Sequence, residues 1–294
     1  MKGILKNTSK TVQIIQLLSL VFFMLVIAIL LTQLLTNGNM NDVKTMKQMQ
    51  LLQSVFIFIL PPFILSYFWS EKPLNYLHLQ TKSDVNSYIL VAAIFLVSIP
   101  FINLLAYLNQ QISLPSGFET IEVWMRNAEN EMELLTIKML NVSTVTDLIF
   151  NLFLIAAIAG LGEELFFRGI IQLLFTHPKF PVLAIWITAF LFSAIHMQFY
   201  GFFPRLLMGA LLGYMLYWSN NLWLPVLAHT INNGVAVVFY YLKFNGYNVL
   251  NIDTIGTEKT LWVGILSGIL SAFLIAVAYK KLRITKSSDN LVET

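Results

Sequence analysis

Three short stretches of this chain hold residue types that could do chemistry together. The first is Gly160-Leu161-Gly162-Glu163-Glu164-Leu165-Phe166-Phe167-Arg168, in which two adjacent carboxylates precede an arginine. Glu164 and Arg168 are one helical turn apart and can pair. Glu163 is turned away by about 100° on a helix of 3.6 residues per turn, which leaves one carboxylate free to act on something else. The second stretch is Phe192-Ser193-Ala194-Ile195-His196, and the third is His229-Thr230-Ile231-Asn232-Asn233, where His229 and Asn233 share a face. A carboxylate at low dielectric suits a general base that takes a proton from water. Nearby imidazoles can stabilise an anionic intermediate or pass a proton to a leaving amine, and an Asn amide is a natural oxyanion donor. Such a set suffices for water-mediated acyl transfer, that is, peptide-bond hydrolysis inside a membrane. Two His and one Glu can equally hold a catalytic zinc while the second carboxylate serves as base. The usual His-Glu-x-x-His helix is missing, and the residue types alone leave both routes open.

The elements that must position these groups are membrane helices. Hydrophobic residues make up 57% of the 294, mean hydropathy is +0.72, and charged residues are 11%. A soluble domain carries about 25% charged residues, so a water-soluble globular enzyme is excluded. With about 20 apolar residues needed per crossing, eight runs qualify: 12–36, 50–69, 87–108, 147–175, 182–198, 202–219, 222–242 and 261–281. The expected fold class is an all-α polytopic membrane protein with about eight transmembrane helices. It forms a single membrane domain, 1–294, with catalytic core helices at 147–242 and a polar, disordered tail at 284–294. The first run is longer than a cleavable signal core and reads as a retained helix. Lys2, Lys6, Lys10, Lys72, Lys82, Lys179, Lys280, Lys281, Arg283 and Lys286 would lie inside if the N-terminus is cytoplasmic, which predicts both termini in the cytoplasm of a multi-pass protein of the plasma (inner) membrane. The loop 109–146 carries Glu119, Glu122, Glu129, Glu131 and Glu133 around Trp124, Leu134, Leu135 and Leu140, a pattern for an amphipathic helix at the outer interface. The basic residues form no cluster with aromatics, so no nucleic-acid partner is expected. The absence of cysteine excludes a thiol nucleophile and disulfides.

Charges inside membrane spans are costly and default to functional hypotheses. A structural ion-pair cluster is the competing reading for Glu163, Glu164 and Arg168, but two carboxylates against one arginine leave a net negative charge that a purely structural device would avoid. Arg205 can snorkel to the outer interface or pair with a buried carboxylate, and snorkelling is the favoured reading; Gly209 and Gly213 are read as a small-xxx-small packing face, and Pro61 and Pro62 as a kink in the second span. His78 and His177 fall in loops and receive no role.

Glu163-Glu164-x-x-x-Arg168, Phe192-x-x-x-His196 and His229-x-x-x-Asn233, in that order on successive hydrophobic helices, resemble the motifs of the CAAX-protease and bacteriocin-processing (CPBP, or Abi) family of intramembrane endopeptidases, which includes the Ras-converting CAAX prenyl protease. Asn221-Leu222-Trp223-Leu224-Pro225 resembles the family's approach to its last motif. The resemblance implies a cytoplasm-facing cavity in which Glu163 with His196 activates water, His229 and Asn233 form the oxyanion site, and Glu164 and Arg168 support the geometry. It also implies a lipid bilayer and a membrane-tethered peptide or protein substrate as partners. The family's metal dependence is open. Zinc held by some of Glu163, Glu164, His196 and His229 is one expectation, and metal-free water activation is the favoured one. A non-catalytic membrane immunity or scaffold protein of the same fold is the alternative. A proton-coupled transporter is disfavoured because no repeat is visible.

Overall fold

Long apolar runs cannot leave backbone N–H and C=O groups open to lipid, so each must close its hydrogen bonds within itself as a helix. The computed structural model describes residues 1–36, 42–249 and 251–292, with side chains to Arg283, and among the described residues the regular structure is all helical. The helices are α1 (Lys10–Thr36), α2 (Val43–Trp69), α3 (Val85–Gln110), α4 (Glu119–Leu140), α5 (Val145–Phe175), α6 (Pro181–Ala194), α7 (Phe202–Ser219), α8 (Trp223–Phe244) and α9 (Leu261–Val292). All eight apolar runs have become helices, and the protein is a multi-pass membrane protein.

Five helical stretches among the described residues are long and apolar enough to cross a membrane: α1, α2, α3, α5 and Glu258–Arg283. The other three runs fall short of the expectation for a physical reason. α6 has 14 residues, about 21 Å at 1.5 Å per residue, against a hydrocarbon core about 30 Å thick. α7 carries Arg205, and α8 carries His229, Asn232, Asn233 and Lys243. α6 falls short by length and α7 and α8 by their polar residues, whereas α5 is long and apolar enough to keep its span despite Glu163, Glu164 and Arg168. The run 182–198 also ends early: the helix stops at Ala194, and the chain turns with Met197 at φ +53°. The backbone of 284–292, expected as a disordered tail, continues α9, since no Gly or Pro interrupts it.

α5 sits at the centre. Its Leu165, Phe166, Phe167, Ile170 and Leu174 form a core with Leu65 and Trp69 of α2, Phe192 of α6, Leu216 of α7 and Val226 of α8. A second core joins α3, α7, α8 and α9 through Val91, Ile94, Met215, Leu224 and Ala278. α1 leans on α2 and shows Ile15, Leu18, Phe22 and Phe23 outward, the face a bilayer would cover. α4 is helical, as its amphipathic pattern predicts, and only Leu140 of it is buried.

Two of the long helices depart from α geometry. α2 is π-helical over Ser54–Ile59, immediately before Pro61 and Pro62, whose missing N–H donors break the regular ladder there. α5 is π-helical over Leu152–Ile158 and Phe167–Ile171, on both sides of the glutamates.

Candidate active site

Two glycines set the position of the glutamates. A Cβ on Gly160 would stand 3.1 Å from Thr230 Oγ1 and 3.3 Å from Thr230 N, so its absence lets α8 come against α5 one residue after His229. A Cβ on Gly162 would stand 3.1 Å from Phe58 Cβ and Ile59 Cγ1, so the π segment of α2 closes the opposite side. The turn Glu163-Glu164 is thereby held between two helices at close quarters.

Glu164 is fully buried, and its Oε1 accepts from Arg168 Nη1 at 2.7 Å and from His229 Nδ1 at 2.7 Å. The pairing across one turn of α5 is the one the spacing predicts; the third member, from α8, is not visible in local sequence. Arg168, also fully buried, donates through Nη2 to Gly209 O at 2.9 Å and lies over the Phe192 ring at 4.7 Å. One turn later Gln172 Nε2 donates to Gly213 O at 3.1 Å. A Cβ on Gly213 would stand 2.8 Å from Gln172 Oε1, so its absence makes room for that amide, whereas one on Gly209 would meet Phe192 and Ala189 of α6, where the glycine packs.

Glu163 points elsewhere. Its side chain is 18% exposed, neither oxygen receives a hydrogen bond among the described residues, and Oε2 lies 3.8 Å from His229 Nε2. His229, with a side chain 4% exposed, thus has a carboxylate on each nitrogen.

His196 lies in the turn that ends α6 rather than within the helix, which corrects its expected place inside a span. The last carbonyls of a helix lack intrahelical donors, and His196 Nδ1 meets one of them, Phe192 O, at 2.7 Å. A carbonyl only accepts, so Nδ1 carries the hydrogen and Nε2 keeps its lone pair. The Phe-x-x-x-His spacing is that of a side-chain cap on its own helix. The Phe192 ring meets His196 edge-on at 5.1 Å and His229 at 5.7 Å, so one aromatic side chain orders both imidazoles and Arg168. In the sequence Phe192 is only the start of the Phe-x-x-x-His spacing; its contacts with His229 and Arg168 are made by the fold.

Asn233 Nδ2 donates to Ile155 O at 3.2 Å, within the π segment of α5, and its Oδ1 accepts from Asn232 Nδ2 at 3.2 Å. One Nδ2 hydrogen remains. The approach to α8 is fixed by Asn221, whose Oδ1 accepts from Trp223 N at 2.9 Å and whose Nδ2 donates to Ser83 Oγ at 2.9 Å and Tyr88 Oη at 3.1 Å. Leu222 N bonds His78 O at 3.0 Å, so the loop containing His78 serves as a backbone anchor.

Arg205 does not snorkel as expected; its guanidinium folds onto Gln198 in the turn after His196. α4 covers that turn from outside. Glu129 Oε2 accepts from Tyr200 N at 3.1 Å, the Trp124 ring lies tilted against Phe199 at 5.2 Å, and Arg126 lies over Tyr200 at 4.4 Å. Burial under these contacts holds the Glu129 carboxyl above its ordinary range, against the Tyr200 N–H bond that favours the charged form.

The metal expectation can be tested on the donors. Among the described residues no group of three or more His, Asp or Glu is arranged to hold an ion. His196 Nδ1 is engaged by Phe192 O, and Glu164 Oε1 by Arg168 and His229. These contacts leave Glu163 and the Nε2 atoms of His196 and His229 without a hydrogen bond among the described residues, where they are not gathered as a metal site, and no step below is routed through a metal.

Comparison with curated proteins and with solved structures gives no match. A comparison with family models matches residues 145–235 to the family described as Type II CAAX prenyl endopeptidase Rce1-like. The matched stretch runs from the first residue of α5 to two residues beyond Asn233, leaving α1 to α4 and α9 outside it. This segment, which holds all three motifs, is similar to the Rce1-like CAAX prenyl endopeptidase family.

Proposed function

We propose that this protein is an intramembrane endopeptidase that hydrolyses a peptide bond of a membrane-tethered peptide or protein, with water activated by Glu163 and no metal. The observation that carries the reading is the free carboxylate. Glu163 has no hydrogen bond, while its neighbour Glu164 is engaged by Arg168 and His229. The site would open to the cytoplasmic side of the plasma membrane.

Glu163 takes a proton from water, and the water oxygen bonds to the carbonyl carbon. His196 accepts the second water hydrogen at Nε2 and orients the attack. The carbonyl oxygen becomes an oxyanion next to the remaining Asn233 Nδ2 hydrogen and His229 Nε2. His229 donates there only as an imidazolium, since its Nδ1 hydrogen already goes to Glu164. Collapse breaks the C–N bond, and Glu163 returns its proton to the leaving nitrogen. Glu164 and Arg168 do not touch the substrate; they hold His229 in place.

Cleavage of a pooled library of membrane-tethered peptides by purified protein in detergent tests this. Wild type is expected to cleave with and without chelator, and Glu163→Gln to be inert while still folded. Loss on chelation would overturn the metal-free route. A folded wild type and Glu163→Gln that are equally inert throughout would move the protein to the non-catalytic immunity or scaffold reading.

A further inference from the structure

Arg205 stands near the start of α7, where an arginine at a helix end ordinarily extends toward headgroups. Here its Nη2 donates to Gln198 Oε1 at 2.6 Å and its Nη1 to Gln198 O at 3.4 Å, so the guanidinium folds back over the turn that follows His196. Gly201 leaves it room: a Cβ there would stand 3.0 Å from Nη2. The charge lies within electrostatic reach of Glu163, Glu129 and His196. Yet no carboxylate oxygen is at ion-pair distance from it among the described residues. Its Nε hydrogen and the second hydrogens of both Nη atoms have no protein acceptor among the described residues. Arg168 offers the contrast, since it is closed in by Glu164, Gly209 and Phe192 and has no access.

A guanidinium is a planar fork of donors whose geometry matches a carboxylate in a two-point contact. A half-buried fork with three unengaged N–H groups, folded onto Gln198 in the turn that follows His196 and within electrostatic reach of the free carboxylate that would activate water, is a place for an anion belonging to the substrate. Glu129 and Glu163 repel a carboxylate that comes near without meeting Arg205, which favours one seated on the fork.

We propose that Arg205 forms a carboxylate-binding subsite next to Glu163 and His196, which takes an anionic end or side chain of the peptide and holds it a short distance from the bond to be cut. That the ligand is a peptide rests on the endopeptidase reading above. The carboxylate has two sources, a free C-terminal α-carboxylate or an Asp or Glu side chain, and the same fork fits both.

The test is read by binding, on a Glu163→Gln background that does not turn substrate over. The probe is a palmitoylated, fluorescent octapeptide of neutral sequence in detergent micelles, made with a C-terminal acid, with a C-terminal amide, and as the amide with one Glu near its end. An acid or Glu form is expected to bind about tenfold or more tightly than the neutral amide, the scale of a hydrogen bond to a charged group. Which of the two gains identifies the source. Adding Arg205→Gln removes the advantage, and Arg205→Lys, a point charge without the fork, retains part of it. Three forms that bind alike, no binding by any form, or an acid advantage that survives Arg205→Gln would each overturn the subsite. Should Arg205→Gln not fold, judged by size exclusion and melting, a Lys variant with an undiminished advantage overturns it. Arg205-dependent acid preference upholds the subsite even where wild type cleaves nothing. Cleavage without such a preference upholds the endopeptidase and overturns the subsite.

Discussion

Around Glu164 every direction is closed: Arg168 and His229 share one of its oxygens, Phe192 lies between the arginine and the imidazoles, and the whole cluster is shut away from the surface. Glu163, one residue earlier on the same helix, is a carboxylate without a hydrogen bond, with His229 Nε2 3.8 Å from its Oε2. Two identical side chains a peptide bond apart thus sit in opposite surroundings. The cause is the 100° step of the helix, which turns Glu164 into the seam with α7 and α8 and leaves Glu163 partly exposed with its Oε2 facing His229 Nε2. The closed side builds and the open side reacts.

The largest effect should come from breaking the closed side. Glu164→Ala leaves Arg168 buried without its carboxylate and His229 without its anchor, a loss of about 3–5 kcal/mol. Thermal melting in detergent should show the drop, and a Glu164→Ala protein as stable as wild type would erase the distinction between the two carboxylates.

How far this division was legible in the sequence depends on the range of each contact. The Glu164 to Arg168 pair, the free Glu163 and the one face shared by His229 and Asn233 follow from helical spacing alone. The bond from His229 to Glu164 joins residues 65 apart in the chain, and Gly209 O meets Arg168 across 41, so no local pattern announces either. The end of α6 at Ala194 was hidden because Ile195 and Met197 continue the apolar run; the turn is set by Met197 in the left-handed region and by the His196 bond to Phe192 O, both tertiary choices. Arg205 was misplaced for a similar reason, since its acceptor, Gln198, lies on the preceding turn and only the fold brings it round. Counting apolar runs found the helices but overstated how many are long and apolar enough to cross.

A smaller effect should follow from separating the two sides of the site. Gly160→Val places bulk against Thr230 and pushes α8 from α5, at a cost of about 1–3 kcal/mol by overpacking. Because His229 and Asn233 move with α8, turnover should fall by more than the melting shift implies. A variant that melts lower but cleaves normally would detach the oxyanion groups from the account.

A cap remote from both regions gives the scale. Asp84 accepts from Ser87 N at 3.0 Å at the start of α3. Asp84→Ala should cost about 0.5–2 kcal/mol and leave catalysis untouched, as measured by melting and by specific activity side by side. Loss of activity without loss of stability there would mean that the open side reaches further than Glu163 and its neighbours.

The smallest expected effect is a pH dependence at the cover of the site. Burial holds the Glu129 carboxyl above its unfolded value. Its contribution to stability is therefore fully present below the ordinary glutamate range and is lost as pH rises through the higher folded value. Melting temperatures recorded from pH 4 to 8 should carry a small decline with rising pH that Glu129→Gln removes. An unchanged profile in Glu129→Gln would show that α4 does not rest on the turn after His196 through this group.

The most direct measurement is to follow melting and peptide cleavage together on Glu163→Gln and Glu164→Gln, with each rate taken below the variant's own melting temperature. The account predicts that Glu163→Gln melts close to the wild-type temperature, since the carboxylate makes no hydrogen bond and gives up only a 3.8 Å approach to His229, while its turnover falls by about 10²–10⁴-fold, the range of general-base catalysis. Glu164→Gln should melt lower and keep measurable turnover where it stays folded. A Glu163→Gln protein that cleaves at the wild-type rate would contradict the account.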